Sequence, residues 1–360
     1  MSAAGTTSAR SARRVWMPQL DAGERMRAVI IVVLLLFVVL LLPQLLSGYW
    51  VTVCTSVAIY AVVALGLGIL MGRTGLVSLG QIALLALAAW VAARLFFATG
   101  LPFPIVLLGS GLITMVLGTL VGLPALRLSG LYLALITLML AGAITVVLRA
   151  TNFPNGGHGF LGHLETDRGN ANIRRPDIAN GDTAYLRYTV IVAAIMFLIA
   201  LIHVRARPGR AWAAIRQSES AALAAGVNVT LYKMWAFALA SFMTGVAGCL
   251  LAAQIGVPRA ITFQTQDSII LAATALIGGI FSLWGAVIAG AFNQLLPFVF
   301  QAQWGVNPNF LLIIFGAGLI QVLLTAPGGL ADQVPKDLAK LGRLLARPFR
   351  RASSSTEGSS

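Results

Sequence analysis

Apolar residues in this chain gather into long continuous runs instead of alternating with polar ones or marking one face of a helix. Ten runs fall at 28–46, 50–71, 76–98, 103–123, 129–148, 187–204, 231–256, 267–280, 284–301 and 308–325. A helix of about 20 apolar residues crosses the hydrocarbon core of a bilayer. Most of the runs have that length. The run at 267–280 is short, and the run at 76–98 opens on a Gly- and Ser-rich stretch. The pattern predicts an all-α, polytopic transmembrane helical bundle of about 8–10 spans. It also predicts broken or re-entrant segments near 72–81 and 278–285. The run at 28–46 is too long for the apolar core of a signal peptide, and no A-x-A site follows it, so it reads as a retained first span.

Polar segments divide the chain. Residues 1–27 form a basic tail, 28–330 the membrane domain and 331–360 a second basic tail. Within the membrane domain, 150–186 and 205–230 are hydrophilic loops. Residues 335–351 place Leu338, Leu341 and Leu345 on one helical face and Lys336, Lys340, Arg343 and Arg347 on the other. That is an amphipathic helix suited to anionic lipids.

Composition agrees with a membrane domain. Hydrophobic residues make up 58% of the chain and charged residues 10%, against about 25% charged in soluble domains. The net charge of +14 does not call for nucleic acid here, because the charges sit between apolar runs and carry topology. With every run crossing once from an inside N-terminus, 18 of the 25 Lys and Arg fall inside. That asymmetry puts both termini on the cytoplasmic side of the membrane. Cys54 and Cys249 lie inside apolar runs, so neither a disulfide framework nor a metal site is expected. No G-x-x-x-x-G-K-[ST] loop is present, so this chain does not hydrolyse ATP, and no cofactor is expected.

The inner loop carries the clearest local signals. Pro208-Gly209 ends the preceding span, Ala211 to Ala225 is rich in helix formers, and Gly226 stands as a terminating residue. One short helix is predicted, with Ala214, Ala221, Ala222 and Ala225 on a small-residue face and Arg210, Arg216 and Glu219 on the remainder. Such a helix lies on lipid headgroups or docks against protein. Headgroup helices favour large apolar residues, and the alanines favour docking.

Glu219-Ser220-Ala221-Ala222 followed by Gly226 resembles the cytoplasmic E-A-A…G loop of binding-protein-dependent ABC importers. The longer string runs from Gly209-Arg210-Ala211 through Ala214-Ile215-Arg216 and Gly226-Val227-Asn228 to Tyr232-Lys233. It resembles the branched-chain amino acid permease family, in its LivM-type subunit. Gly75-Leu76-Val77-Ser78-Leu79-Gly80-Gln81 resembles that family's G-x-x-S-L-G-[HQ] segment. Arg127-Leu128-Ser129-Gly130-Leu131-Tyr132-Leu133-Ala134 is similar to its R-L-x-G-x-Y-x-A segment. Ile277-Gly278-Gly279 with Ser282-Leu283-Trp284-Gly285 is similar to its G-G-x-G-S-L-W-G segment, with Phe281 where that segment has Gly. Asn155-Gly156-Gly157-His158-Gly159-Phe160 is a looser match to T-G-G-x-x-G-L. The resemblance covers about residues 30–330. It implies a transport subunit, not an enzyme. It also implies a second homologous permease, two cytoplasmic ABC ATPases and an extracytoplasmic solute-binding protein. The ATPase-coupling set it implies is Arg210, Arg216, Glu219, Ala222, Gly226 and Lys233.

Apart from any resemblance, Gly75-Leu76-Val77-Ser78-Leu79 and Gly279-Ile280-Phe281-Ser282-Leu283 share G-x-x-S-L in the two halves of the chain. Paired interruptions of this kind point to a substrate site, because broken helices expose free N–H and C=O groups. Close packing through Gly and Ser is the competing reading. With the few polar residues in the apolar runs, they make a candidate path of Gly75, Ser78, Gln81, Tyr132, Gly279, Ser282 and Asn293. Arg94 and Asp267 are expected to reach the outer interface. No run holds the Asp, Glu and His chain of a proton-coupled carrier. The expected function is therefore a permease subunit for branched-chain or related amino acids. A stand-alone channel or carrier for a small neutral solute such as urea is the alternative, and a membrane enzyme or scaffold is a third class.

Overall fold

A computed structural model of the chain describes residues 44, 48–125, 130–150, 173–300, 305, 308–325 and 328–333. The predicted span 28–46 (residue 44 apart), the basic tail 1–27, the second basic tail beyond 333, residues 151–172 of the predicted outer loop and the motif residues Arg127 to Ser129 lie outside the described residues. Every regular element among the described residues is helical. Helix α1 runs Gly48–Gly68 and continues as a π-helical turn over Ile69–Thr74. Helices α2 (Gln81–Thr99), α3 (Phe103–Ala125), α4 (Gly130–Ala150) and α5 (Asp182–Arg205) follow. The loop at 205–230 forms two short helices, α6 (Arg207–Gln217) and α7 (Glu219–Ala224). Then come α8 (Val229–Ile255), α9 (Thr265–Gly278), α10 (Leu283–Phe298) and α11 (Pro308–Thr325).

Among the described residues, six helical segments are long and apolar enough to cross a membrane: Gly48–Thr74, Gln81–Thr99, Phe103–Leu123, Tyr132–Ala150, Asp182–Arg205 and Val229–Ile255. At about 1.5 Å per residue, α9 and α10 reach only about 21 and 24 Å. They form a short antiparallel pair, packed against each other, beside α1 and α11.

Helix α8 is the centre. It packs on α1, α2 and α3, and 94% of its apolar window is buried in protein. Lipid gives helices no hydrophobic reason to associate, so close backbone approach through small residues holds them. Gly245 of α8 lies on Gly111 and Thr114 of α3, and Gly248 lies on Leu85 and Ala88 of α2. The Ser110 hydroxyl reaches the Ala88 carbonyl at 3.0 Å and the Gly245 carbonyl at 3.3 Å, tying three helices at one point. By contrast, α3, α4 and α5 turn large apolar residues outward, among them Leu112, Val116, Met139 and Ile195. Such faces suit lipid.

The bundle has a loop end, marked by α6 and α7, and a far end. At the far end Gln254 of α8 donates to the Thr52 carbonyl and meets Ser56 Oγ at 2.9 Å. Ile173 donates its N–H to the Gly256 carbonyl there. At the loop end lie the end of α1, the turn between α9 and α10, and residues 328–329, which rest on Gly279.

One expectation needs correction, and two are sharpened. The break expected near 72–81 falls at 75–80, which is non-helical, so helix α2 starts at Gln81 within the apolar run 76–98. Arg94 does not reach an outer interface. It is fully buried, because α2 is enclosed by α3, α4 and α8. Asp267 stays part-exposed and also serves its own helix: with Gln264 it forms a capping box at the start of α9, accepting from the Gln264 N–H at 3.2 Å.

Candidate functional site

The loop at 205–230 is anchored on the helices it joins. Pro208 stands in the first turn of α6, where its missing N–H costs nothing. Ala211, Trp212 and Ile215 are buried, and the Trp212 indole donates to the Tyr232 carbonyl at 2.8 Å. This fixes α6 to the start of α8. The single helix expected over 211–225 is in fact two. Ser218 is extended, with φ −163° and ψ 121°, and its hydroxyl accepts from the Ala221 N–H to cap α7. Nothing apolar or helix-breaking marks that position in the sequence. The cue is a capping serine.

Helix α7 ends as a terminating glycine predicts. Gly226 has φ +80°, the Gly226 N–H meets the Leu223 carbonyl, and the Val227 N–H reaches back to Ala222. Asn228 then caps α8 by accepting from the Leu231 N–H. Ala222 is buried against Ile215 and Val229, so it packs inside its own chain. Lys233 is almost fully buried and donates to Glu219 Oε1 at 2.6 Å, while half of the Glu219 side chain stays exposed. Arg210, Leu223 and Gly226 face outward, and Leu223 is the large apolar residue on that surface, 60% exposed.

The first break covers 75–80. The π-helical turn widens the end of α1, and both Gly75 and Leu76 donate their N–H to the Leu70 carbonyl. Gly75 takes φ +75°. Leu79 donates its N–H to Thr137 Oγ1 of α4 at 2.9 Å. Ser78 is buried and lines a narrow cleft with Gly80, Gly118, Thr137 and Phe237. Gln81 is buried and accepts from the Thr244 hydroxyl at 2.8 Å.

The second break covers 279–282, with Gly279 at φ +107°. It lies directly on the end of α1. A Cβ on Gly72 would collide with the Ile280 carbonyl, and Arg73 donates to the Phe281 carbonyl at 2.8 Å. Arg216 of α6 joins the same group. Its guanidinium donates to the Gly72 carbonyl at 2.6 Å and lies 4.2 Å from the centre of the Phe281 ring.

The structure therefore gathers Gly75, Gly279 and Arg216 at the loop end, with Ser78 in the adjoining first break. Tyr132 stands on the outer face of α4, 72% exposed, away from this group. Asn293 lies about 16 Å along α10 from Ser282 and accepts from Gln294. Gly72, Arg73, Thr137 and Phe281 escaped the sequence reading. Phe281 alone carried a cue, as a bulky residue in a Gly position.

The profile of the family described as branched-chain amino acid transport system / permease component matches residues 49–323. The chain belongs to that permease family. The high-affinity branched-chain amino acid transport system permease protein LivM of Salmonella typhimurium is 28% identical over 306 residues, 80% of this chain and 71% of its own length. LivM of Escherichia coli matches at the same identity and coverage. No solved structure matches the chain. The permease is a multi-pass membrane transport subunit and not an enzyme. As a member of an ABC importer family it works with a partner permease, ATPases and a solute-binding protein.

Proposed function

We propose that this permease is the LivM-type subunit of an importer for branched-chain amino acids, with loop 205–230 as its ATPase-docking site. The observation that carries this reading is the build of the loop. Two short helices are tied to α8 beneath through Trp212 and the Glu219–Lys233 pair, while Arg210, Leu223 and Gly226 face outward. That is the shape of a surface that receives force and passes it on. The substrate class follows the relatives, whose names specify branched-chain amino acids. Two cytoplasmic ATPases would engage this loop and its counterpart on a second, homologous permease. The loop end then lies in the cytoplasm together with both termini, and the basic tail after 334 meets anionic lipid there. The segment 150–186 faces the solute-binding protein on the opposite side.

Gly226→Asp tests the docking claim. No heavy atom lies within 4 Å of a Cβ at Gly226, so the substitution disturbs little beyond the left-handed backbone, at about 1 kcal/mol. The variant should insert at normal levels yet lose radiolabelled leucine uptake and co-purification of the ATPases. Normal uptake with ATPases retained would reduce the loop to a headgroup helix.

A further inference from the structure

Arg216 lies in the loop that the preceding reading assigns to ATPase docking and stays exposed to solvent, yet its guanidinium reaches its own chain. It donates to the Gly72 carbonyl in the π-helical end of α1. That carbonyl is open for a chemical reason. Because Gly75 and Leu76 both turn back to Leu70, the last carbonyls of the widened helix are left without the usual helical donors. They also form the negative end of the helix dipole, where a cation is favoured. The same guanidinium stacks on the Phe281 ring in the second break. The Arg216 Cγ stands 3.6 Å from where a Cβ on Gly75 would be, at the start of the first break. Arg73 closes the group by donating to the Phe281 carbonyl.

We propose that Arg216 is a positioning residue that latches the coupling loop to both broken segments, through the Gly72 carbonyl on one side and the Phe281 ring on the other. A planar guanidinium can do both at once. Its edge donates and its face stacks, which a lysine ammonium cannot match. Displacement of α6 then moves the end of α1 and the α9–α10 turn together.

The proposal rests on the docking reading for its direction of force, so the test has two arms. The first uses the complete importer in proteoliposomes and counts leucine moved per ATP hydrolysed for Arg216→Gln, Phe281→Leu and the double variant, each with its ATPases co-purified. Arg216→Gln should lower the ratio about tenfold, the scale of losing a charge-assisted bond and a cation–π contact. Arg216→Lys should recover part of it. The double variant should be no worse than Arg216→Gln alone, because both changes open one latch. Multiplying effects, a normal ratio in Arg216→Gln, or loss of the ATPases from that variant would overturn the latch. The second arm needs no ATPase. Spin labels at Ala213 and Trp284, both exposed, should give one narrow distance in a Cys54→Ser background. That distance should broaden in Arg216→Gln. An unchanged distribution contradicts the latch even if the docking reading holds. A broadened one upholds it even if the importer shows no ATP-coupled uptake.

Discussion

The two breaks share the letters G-x-x-S-L but are held in different ways. The first, at 75–80, is pinned by side chains: Thr137 takes the Leu79 N–H, and Gly75 has room around it. The second, at 279–282, is closed by tight backbone contacts around Gly279, with Arg73 and Arg216 reaching it at Phe281. Gly279 is pressed on the Gly328 carbonyl and on Gly329, and Gly285 lies against the Gly279 carbonyl. The Ser282 side chain makes no cap hydrogen bond to α10. Similar sequence thus produced one break held through a hydroxyl and one in which Gly279 and Gly285 leave no room for a side chain.

Gly72→Val is the severest way to break the comparison, because it forces the two breaks apart. The new side chain would strike the Ile280 carbonyl, a backbone atom that cannot turn aside. Overpacking of this kind costs about 1–3 kcal/mol or more. Thermal unfolding in detergent should show a clear drop, with uptake lost. Next, Gly279→Ala should destabilise more than Gly75→Ala. At φ +107°, with the Gly328 carbonyl 2.9 Å from the new Cβ, Gly279 suffers both strain and contact. A cost of about 1–3 kcal/mol is expected. At Gly75 the nearest atom is 3.6 Å away, leaving about 1 kcal/mol of left-handed strain. Equal losses at the two sites would show that the breaks are equivalent.

Much of this was visible in the sequence, and the exceptions have physical causes. Apolar runs locate spans because lipid demands length and apolarity, and α8 and α5 fall within a few residues of their runs. Gly75 and Gly279 were legible as breaks because only glycine takes those backbone angles cheaply. Ser218 was not legible as the division between α6 and α7, because a capping hydroxyl in an alanine-rich stretch looks like any other helix residue. The inward turn of Arg216 was equally hidden, since spacing sets the face of a helix and not what stands beside it. Arg94 was misjudged for the same reason: burial of α2 on several sides is a property of the assembled bundle.

Two smaller effects sharpen the comparison. Thr137→Val leaves the Leu79 N–H without its hydroxyl partner, at about 1–3 kcal/mol, whereas Ser282→Ala should fall within about 0.5 kcal/mol of the parent. A larger effect at Ser282 than at Thr137 would reverse the assignment of side-chain and backbone pinning. In the loop, Glu219→Gln weakens the partner of the buried Lys233 ammonium and should lower stability more than the paired change Glu219→Gln with Lys233→Met. Unfolding midpoints of the single and double variants check it.

The central claim is that this permease moves its substrate only when ATPases drive its loop. The direct measurement is leucine flux in proteoliposomes holding either the complete importer or this chain alone. The complete importer should accumulate leucine against a gradient when ATP and the solute-binding protein are supplied, and the chain alone should pass none. Downhill flux of leucine or urea through the chain alone, unaffected by ATP, would contradict the account and point to a self-sufficient channel.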